Sequence, residues 1–183
     1  KEVDSDFIFD CRGKLWNKPK QYENLNNPLN SVLLKQTNER VPNINWTRCV
    51  ATPNGWTFVI PNTNNTTSHG YLYNKDITPK EKAKIKQLPK KEFLEIFKVE
   101  DPIEGFDFSC YIAKDPIQDN VILSGNRLFF LEPLEATAVQ TYLQWYRYCY
   151  DHIINGISKE EITEKLKKYV KQLEQFILWH YLS

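Results

Sequence analysis

Short apolar runs separated by polar, asparagine- and proline-rich stretches fill most of the chain; towards its end the apolar period changes to three and four residues. Residues 6–10 (DFIFD) read as a short buried strand that exits through Asp10, Cys11, Arg12 and Gly13, a common way out of a parallel sheet. Residues 14–30 read as loop and SVLLK (31–35) as a strand. Two further strands flank Pro53-Asn54-Gly55, where Asn-Gly predicts a tight hairpin with positive φ at both turn positions. The polar stretch 62–69 reads as loop, and GYLYN after it as a strand. Thr78-Pro79-Lys80-Glu81 has the form of a capped helix start, and the helix is expected to run to Leu88 and stop at Pro89. FDFSCYIA (106–113) and NVILSG (120–125) read as strands, and 136–154 as an aromatic-rich helix. A second capping box, Ser158 to Glu161, opens a final helix whose buried face is expected to carry Ile162, Leu166, Tyr169, Leu173 and Phe176.

This order of elements predicts an α+β fold: an antiparallel sheet plus C-terminal helices. Residues 1–125 form the sheet region, with one helix near 78–88, and 126–183 form the helical region. FILWHYLS is apolar all round, and FIFD is a buried-type strand with no preceding strand–helix–strand unit. The expectation is therefore a piece of a larger fold, or a chain that needs a partner; an irregular but complete α+β domain is the alternative.

Composition narrows the function classes. A formal net charge of +1 gives no electrostatic reason for nucleic acid or an anionic membrane as partner. No apolar run approaches the roughly 18 residues of a membrane span. The first ten residues lack the apolar core and small-residue cleavage site of a signal peptide. Cys11, Cys49, Cys110 and Cys149 lie far apart in apolar surroundings, which predicts buried, reduced thiols in a cytoplasmic protein. His69, His152 and His180 show no ligand spacing, so no metal is expected. The sequons at Asn45 and Asn64 read as chance matches.

The stretch NVILSGNRLFFLEPLEATAV (120–139) concentrates the candidate chemistry. A strand ends at Gly125-Asn126, where glycine lets backbone approach a ligand closely. Two acids, Glu132 and Glu135, then surround Pro133 at the opening of a helix, whose free N–H groups attract anions. A halide, a phosphate or a developing oxyanion would suit this place. An acid that merely complements the helix dipole is the plain alternative.

Three segments, in order, resemble the flavin-dependent (tryptophan) halogenase family. DFIFDCRG (6–13) is similar to the strand that ends in Asp-Cys-Ser-Gly. GWTFVIP (55–61) with HGYLYN (69–74) is similar to the Trp-x-Trp-x-Ile-Pro motif and the strand after it. Residues 120–139 are similar to the Gly-Asn…Glu-Pro-Leu-Glu-Ser-Thr-Gly segment. The resemblance implies a part of a larger FAD-monooxygenase-like α/β fold and the C-terminal portion of a halogenase using FADH2, O2 and halide on an electron-rich aromatic substrate (indole, pyrrole or phenol).

The resemblance also assigns roles. It makes Glu135 the active-site glutamate, Thr137 and Ala138 the halide-holding pair, and Gly13, Gly125 and Asn126 backbone that approaches FAD. Trp56, Phe58, Ile60 and Pro61 would border the flavin. It further implies a flavin reductase supplying FADH2, and an FAD-binding half or complementary chain that carries the GxGxxG unit and the catalytic lysine; Lys14, Lys18, Lys35 and Lys75 match no such context. A homo-oligomer is also compatible. Where the family has tryptophan, serine and glycine, this chain has Phe58, Ala136 and Ala138. An alanine forced to positive φ at 138 would be strained by about 1 kcal/mol or more. Arg12 replaces a small residue and either meets a phosphate or lies on the surface. Two readings compete: a flavin monooxygenase that uses no halide, and a non-catalytic assembly module derived from such an enzyme.

Overall fold

The structure, a computed structural model, describes residues 5–39, 45–76, 88–98 and 104–182. In chain order its elements are β1 (Ile8–Asp10), β2 (Tyr22–Asn24), β3 (Ser31–Thr37), β4 (Arg48–Thr52), β5 (Gly55–Pro61), β6 (Thr67–Tyr73), α1 (Leu88–Phe97), β7 (Glu104–Asp107), β8 (Tyr111–Ala113), β9 (Ile117–Gln118), β10 (Val121–Leu123), β11 (Phe129–Phe130), α2 (Thr137–Asn155) and α3 (Lys159–His180). Two compact units divide the chain: Pro28–Phe108, and Lys1–Asn27 joined with Ser109–Ser183. These junctions follow contacts, and they do not coincide with the boundary that element type suggests at 125/126.

The inserted unit is an antiparallel five-stranded sheet in the order β4-β5-β6-β3-β7. Strand alternation sorts its residues onto two faces. Thr57, Val59, His69 and Tyr71 share the face that meets α1: the His69 ring lies 4.9 Å from Phe97, and the Tyr71 hydroxyl donates to Glu92. Phe93 of α1 is fully buried there. Trp56, Phe58 and Ile60 take the opposite face. α1 carries Pro89 as its second residue, so this proline lies inside a helix rather than ending one. In a first turn the missing N–H has no helical partner to lose. The capped start expected at Thr78, with the helix over 78–87, lies outside the described residues.

The β4–β5 hairpin differs from expectation. Thr52 pairs with Gly55, so the loop is Pro53-Asn54, and neither Asn54 nor Gly55 has positive φ. Pro53 fixes its own φ near −65° and thereby excludes the turn type that Asn-Gly usually makes. Gly55 is required for another reason: a Cβ there would sit 1.9 Å from the Leu72 carbonyl oxygen.

The other unit has two small sheets and the helices. β1 pairs in parallel with β10, β9 lies antiparallel beyond β10, and β8 is the centre of a β11-β8-β2 sheet. The apparent strand 106–113 is therefore broken, and its halves serve different units. Trp145 of α2 is fully buried and donates its indole N–H to the Leu123 carbonyl at 2.9 Å, which fastens the helix to β10. Gly156, at φ +72°, ends α2, and the Ser158 hydroxyl caps α3 by accepting the Glu161 N–H.

The buried stripe of α3 is Ile162, Leu166, Val170, Glu174 and Ile177. It is rotated from the predicted one, and Phe176 is exposed. A carboxylate can join the stripe because Glu174 accepts the Asn26 N–H and the Lys171 ammonium. On α2, Val139, Leu143, Tyr146, Tyr150 and Ile154 form an exposed apolar stripe at helical spacing. Cys110 and Cys149 are buried as expected, with burial as the largest cause pushing each thiol up to about 12. Cys11 and Cys49 are exposed, contrary to expectation, because the short strand end and the edge strand that carry them have an uncovered side. Among the described residues, no helix is long and apolar enough to cross a membrane and no cluster of three or more potential ligands could hold a metal.

Gly55→Ala should lower stability by at least about 2 kcal/mol, since overpacking against backbone has no cheap relaxation. Urea denaturation of the variant beside wild type checks the loss.

Candidate functional site

The first cluster forms where β1 and β10 end side by side. Their register sets Asp10 opposite Leu123, and the Ser124 N–H extends the pairing to the Asp10 carbonyl at 2.9 Å. Each strand then leaves through a glycine at positive φ, Gly13 at +88° and Gly125 at +56°, with no heavy atom within 4 Å of a would-be Cβ. Backbone is thus open to close approach at both exits.

The buried Asp10 carboxylate holds the two exits together. Arg12 binds it bidentately at 2.9 Å through Nε and Nη2, and Arg127 Nη2 reaches it at 3.1 Å. Arg127 Nη1 also donates to the Gly13 carbonyl at 3.2 Å. The Arg12 hydrogen bond, against the opposing effect of burial, draws the Asp10 carboxyl down to about 2. The Arg12 side chain is 81% exposed and rests on Asp10.

The turn Gly125–Arg127 is pinned by three tyrosines. Tyr111 donates to the Asn126 carbonyl at 2.7 Å, Tyr142 to Asn126 Oδ1 at 3.0 Å, and Tyr22 to the Arg127 carbonyl at 3.3 Å. Two buried donors here have no protein partner, Ser124 Oγ and Arg127 Nε. Lys14, next to Gly13, lies 4.0 Å from the Tyr111 ring centroid and 4.8 Å from that of Trp16, and burial lowers its ammonium.

The second cluster is the opening of α2. The structure separates the two acids that flank Pro133. Glu132 is 1% exposed and accepts the Tyr181 hydroxyl. Glu135 is partly exposed, and its Oε1 lies 2.9 Å from His180 Nε2. His180 Nδ1 is 2.9 Å from the Phe176 carbonyl and must donate to it, so Nε2 carries a proton only in the imidazolium form. The end of α3 therefore braces both glutamates. Ala136, not Ala138, holds the left-handed conformation at φ 51°, and Ala138 is ordinary helix. The left-handed residue that opens the helix lies two positions earlier than the glycine of the family's Thr-Gly pair. No side chain caps it, and Thr137 Oγ1 is buried without a partner.

Trp56, Phe58, Ile60 and Pro61 belong to β5 of the inserted unit. Trp56 is buried, Phe58 half-buried and Ile60 exposed, with the Trp56 and Phe58 ring centroids 5.9 Å apart. Phe58 lies across Gly70, where a Cβ would fall 2.2 Å from its ring. A groove of about 440 Å³ beside it is lined by Phe58, Leu34, Lys35, Gln36, Ser68, His69 and Glu104.

The structure thus brings Gly13, through Arg127, beside the turn that holds Gly125 and Asn126, and sets Glu135, Thr137 and Ala138 at the start of the helix whose Tyr142 touches that turn. Arg127, Tyr142, His180 and Tyr181 escaped the sequence reading. Only Arg127 left a trace, as a basic residue inside an otherwise apolar run.

The fold and the glutamate-bearing helix opening define a portion of a flavin-dependent halogenase fold. Nearly the whole chain superposes on BrvH, a flavin-dependent halogenase from Brevundimonas sp. BAL3 (TM-score 0.72, 18% identity, covering 99% of this chain and 38% of that one). It also superposes on Xcc4156, a flavin-dependent halogenase from Xanthomonas campestris (0.73, 19%, 98% and 37%). A third match is SttH, a tryptophan 6-halogenase from Streptomyces toxytricini (0.73, 20%, 98% and 39%). At such identities the likeness is one of fold, and the chain spans less than two fifths of each of these structures. No curated protein sequence matches it. The tryptophan halogenase family model matches residues 1–183, and the chain belongs to that family.

Asp10→Asn should cost about 2 kcal/mol or more at neutral pH, from the depressed carboxyl and an uncompensated buried Arg127. A carboxyl lowered from 3.8 to about 2 stabilises fully above its ordinary value and loses that contribution as pH falls through the folded one. The gap between wild type and variant should therefore narrow between pH 4 and pH 2, as read by denaturant titration at each pH. Ala136→Gly should raise stability by about 1 kcal/mol by relieving the left-handed alanine, while Ala138→Gly should lower it; thermal melts of the two variants check the sign.

Proposed function

We propose that this chain is the halide- and glutamate-bearing portion of a flavin-dependent halogenase acting on an electron-rich aromatic ring: an indole, a pyrrole or a phenol. The observation that carries the reading is the opening of α2, where uncapped N–H groups and the orphaned Thr137 hydroxyl donate beside the Glu135 carboxyl group. Free donors at a helix start suit a small anion. Several of the structural neighbours are described as tryptophan halogenases, which favours an indole within this class.

The residues also fit a flavin. Gly13 and Gly125 offer backbone with no side chain in the way, and Ser124 Oγ and Arg127 Nε are buried donors in need of acceptors. When bound, reduced FAD together with O2 supplies the oxidising power that turns halide into an electrophile. In this scheme the first turn of α2 and Thr137 hold halide, with Ala138 contributing its N–H. Glu135 takes the proton that the halogenated ring must lose, once it is free of His180. Asn126 and its flanking backbone meet the flavin; on β5, Trp56, Phe58 and Ile60 share one face and Pro61 lies on the other, and the family resemblance gives that strand a flavin-bordering role.

The reading carries two partners with it, a flavin reductase that delivers FADH2 and a nucleotide-binding portion of the fold. The exposed α2 stripe, with Phe9 of β1 packed edge-on against Tyr146, offers apolar surface for such a portion. A halide-free flavin monooxygenase is the competing reading, favoured by the engagement of Glu135 with His180.

In a protein that joins this chain to its flavin-binding portion, products from an indole substrate should gain the mass of chlorine or bromine according to the salt supplied. Oxygenated products regardless of halide would establish the monooxygenase instead. Glu135→Gln should lower halogenation at least about tenfold, the usual cost of a positioned proton acceptor; unchanged turnover would remove Glu135 from the chemistry.

A further inference from the structure

Asn126 sits on the exposed side of the Gly125–Arg127 turn, yet both of its oxygens are taken from within. The Tyr111 hydroxyl donates to its carbonyl at 2.7 Å and the Tyr142 hydroxyl donates to Oδ1 at 3.0 Å. With Oδ1 held inward, the two N–H bonds of Nδ2 point away from Tyr142, and they have no partner among the described residues. The turn is braced elsewhere as well: Tyr22 donates to the Arg127 carbonyl at 3.3 Å, and Arg127 ties it to Gly13 at 3.2 Å. Tyr142 projects from α2, which Trp145 fixes to β10. The hydroxyl is thus anchored by the same strand whose exit it serves.

We propose that Tyr142 is a positioning residue: it locks the Asn126 amide so that Nδ2 presents two donors to an acceptor-rich ligand at the exits of β1 and β10. On the functional reading above, on which this rests, that ligand is the flavin, whose ring carbonyls and ribityl oxygens are acceptors of the required kind. Tyr111 fixes the backbone of the same residue, so the amide is pre-oriented before ligand arrives. Freed from Tyr142, the amide could rotate and offer oxygen to oxygen, and the ligand would have to pay for its reorientation.

The test follows FAD binding by flavin absorbance and fluorescence in the protein that joins this chain to its flavin-binding portion. Tyr142→Phe and Asn126→Ala should each weaken FAD by roughly five- to twentyfold, in the range of a lost hydrogen bond. The double variant should be no weaker than Asn126→Ala. Asn126→Asp discriminates further, because it keeps an acceptor for Tyr142 but removes both donors; it should bind FAD at least as poorly as Asn126→Ala. In this chain alone, Tyr142→Phe should shift and broaden the Asn126 side-chain amide resonances in a 15N–1H spectrum, a change that needs no flavin. Additive losses, full FAD affinity in Asn126→Asp, or unmoved amide resonances would each overturn the positioning role while leaving the halogenase reading intact. A wild-type protein that takes up no FAD would overturn the halogenase reading, and with it the flavin as this ligand.

Discussion

The site rests on the Asp10 carboxylate. It sits at the end of a parallel strand pair, where two chain exits far apart in sequence must stay close. Coulomb attraction from two guanidinium groups holds them: Arg12 from the same exit and Arg127 from the other. A buried carboxylate between two cations also neutralises charge that would otherwise be costly to desolvate. The two open glycines, the pinned turn and the anchor for α2 all lie within a few residues of this contact.

A second constraint acts from the far end of the chain. α3 buries a stripe that contains Glu174, and its last turn delivers His180 and Tyr181 to the acids around Pro133. Glu132 is thereby a structural acid, buried and hydrogen-bonded, while Glu135 remains partly open to solvent. The two carboxylates look equivalent in sequence, and what distinguishes them is which side of the kinked helix opening each occupies. The same end of α3 holds Glu135 through its contact with His180 Nε2 at 2.9 Å.

Much of the fold was legible because it rests on local rules. The strands of the inserted sheet, the Ser158 cap and the α2 helix follow alternation, capping and period. The misreadings came where tertiary contact overrides local preference. Pro53 displaced the Asn-Gly turn by one position, and Gly55 proved to be a matter of space against Leu72 rather than of φ. The run 106–113 reads as one strand because its apolar content is continuous, yet its halves pair in different sheets. The α3 stripe was misjudged because a glutamate occupies a core position, which hydropathy cannot show. In the candidate site, resemblance points to the motif residues but not to the side chains that support them. Tyr142, His180 and Arg127 act through distances that only the folded chain sets, and the strain expected at Ala138 fell on Ala136 for the same reason.

The contact between Phe58 and Gly70 reaches beyond this molecule. The ring lies where any side chain at position 70 would have to go, so the two positions cannot vary independently. A lineage that acquires even alanine at 70 must first shrink or turn the residue at 58, and in doing so redraw the apolar strip across that face of the sheet. Divergence in this strip is therefore channelled through a paired substitution, and the order of the two steps is set by steric exclusion.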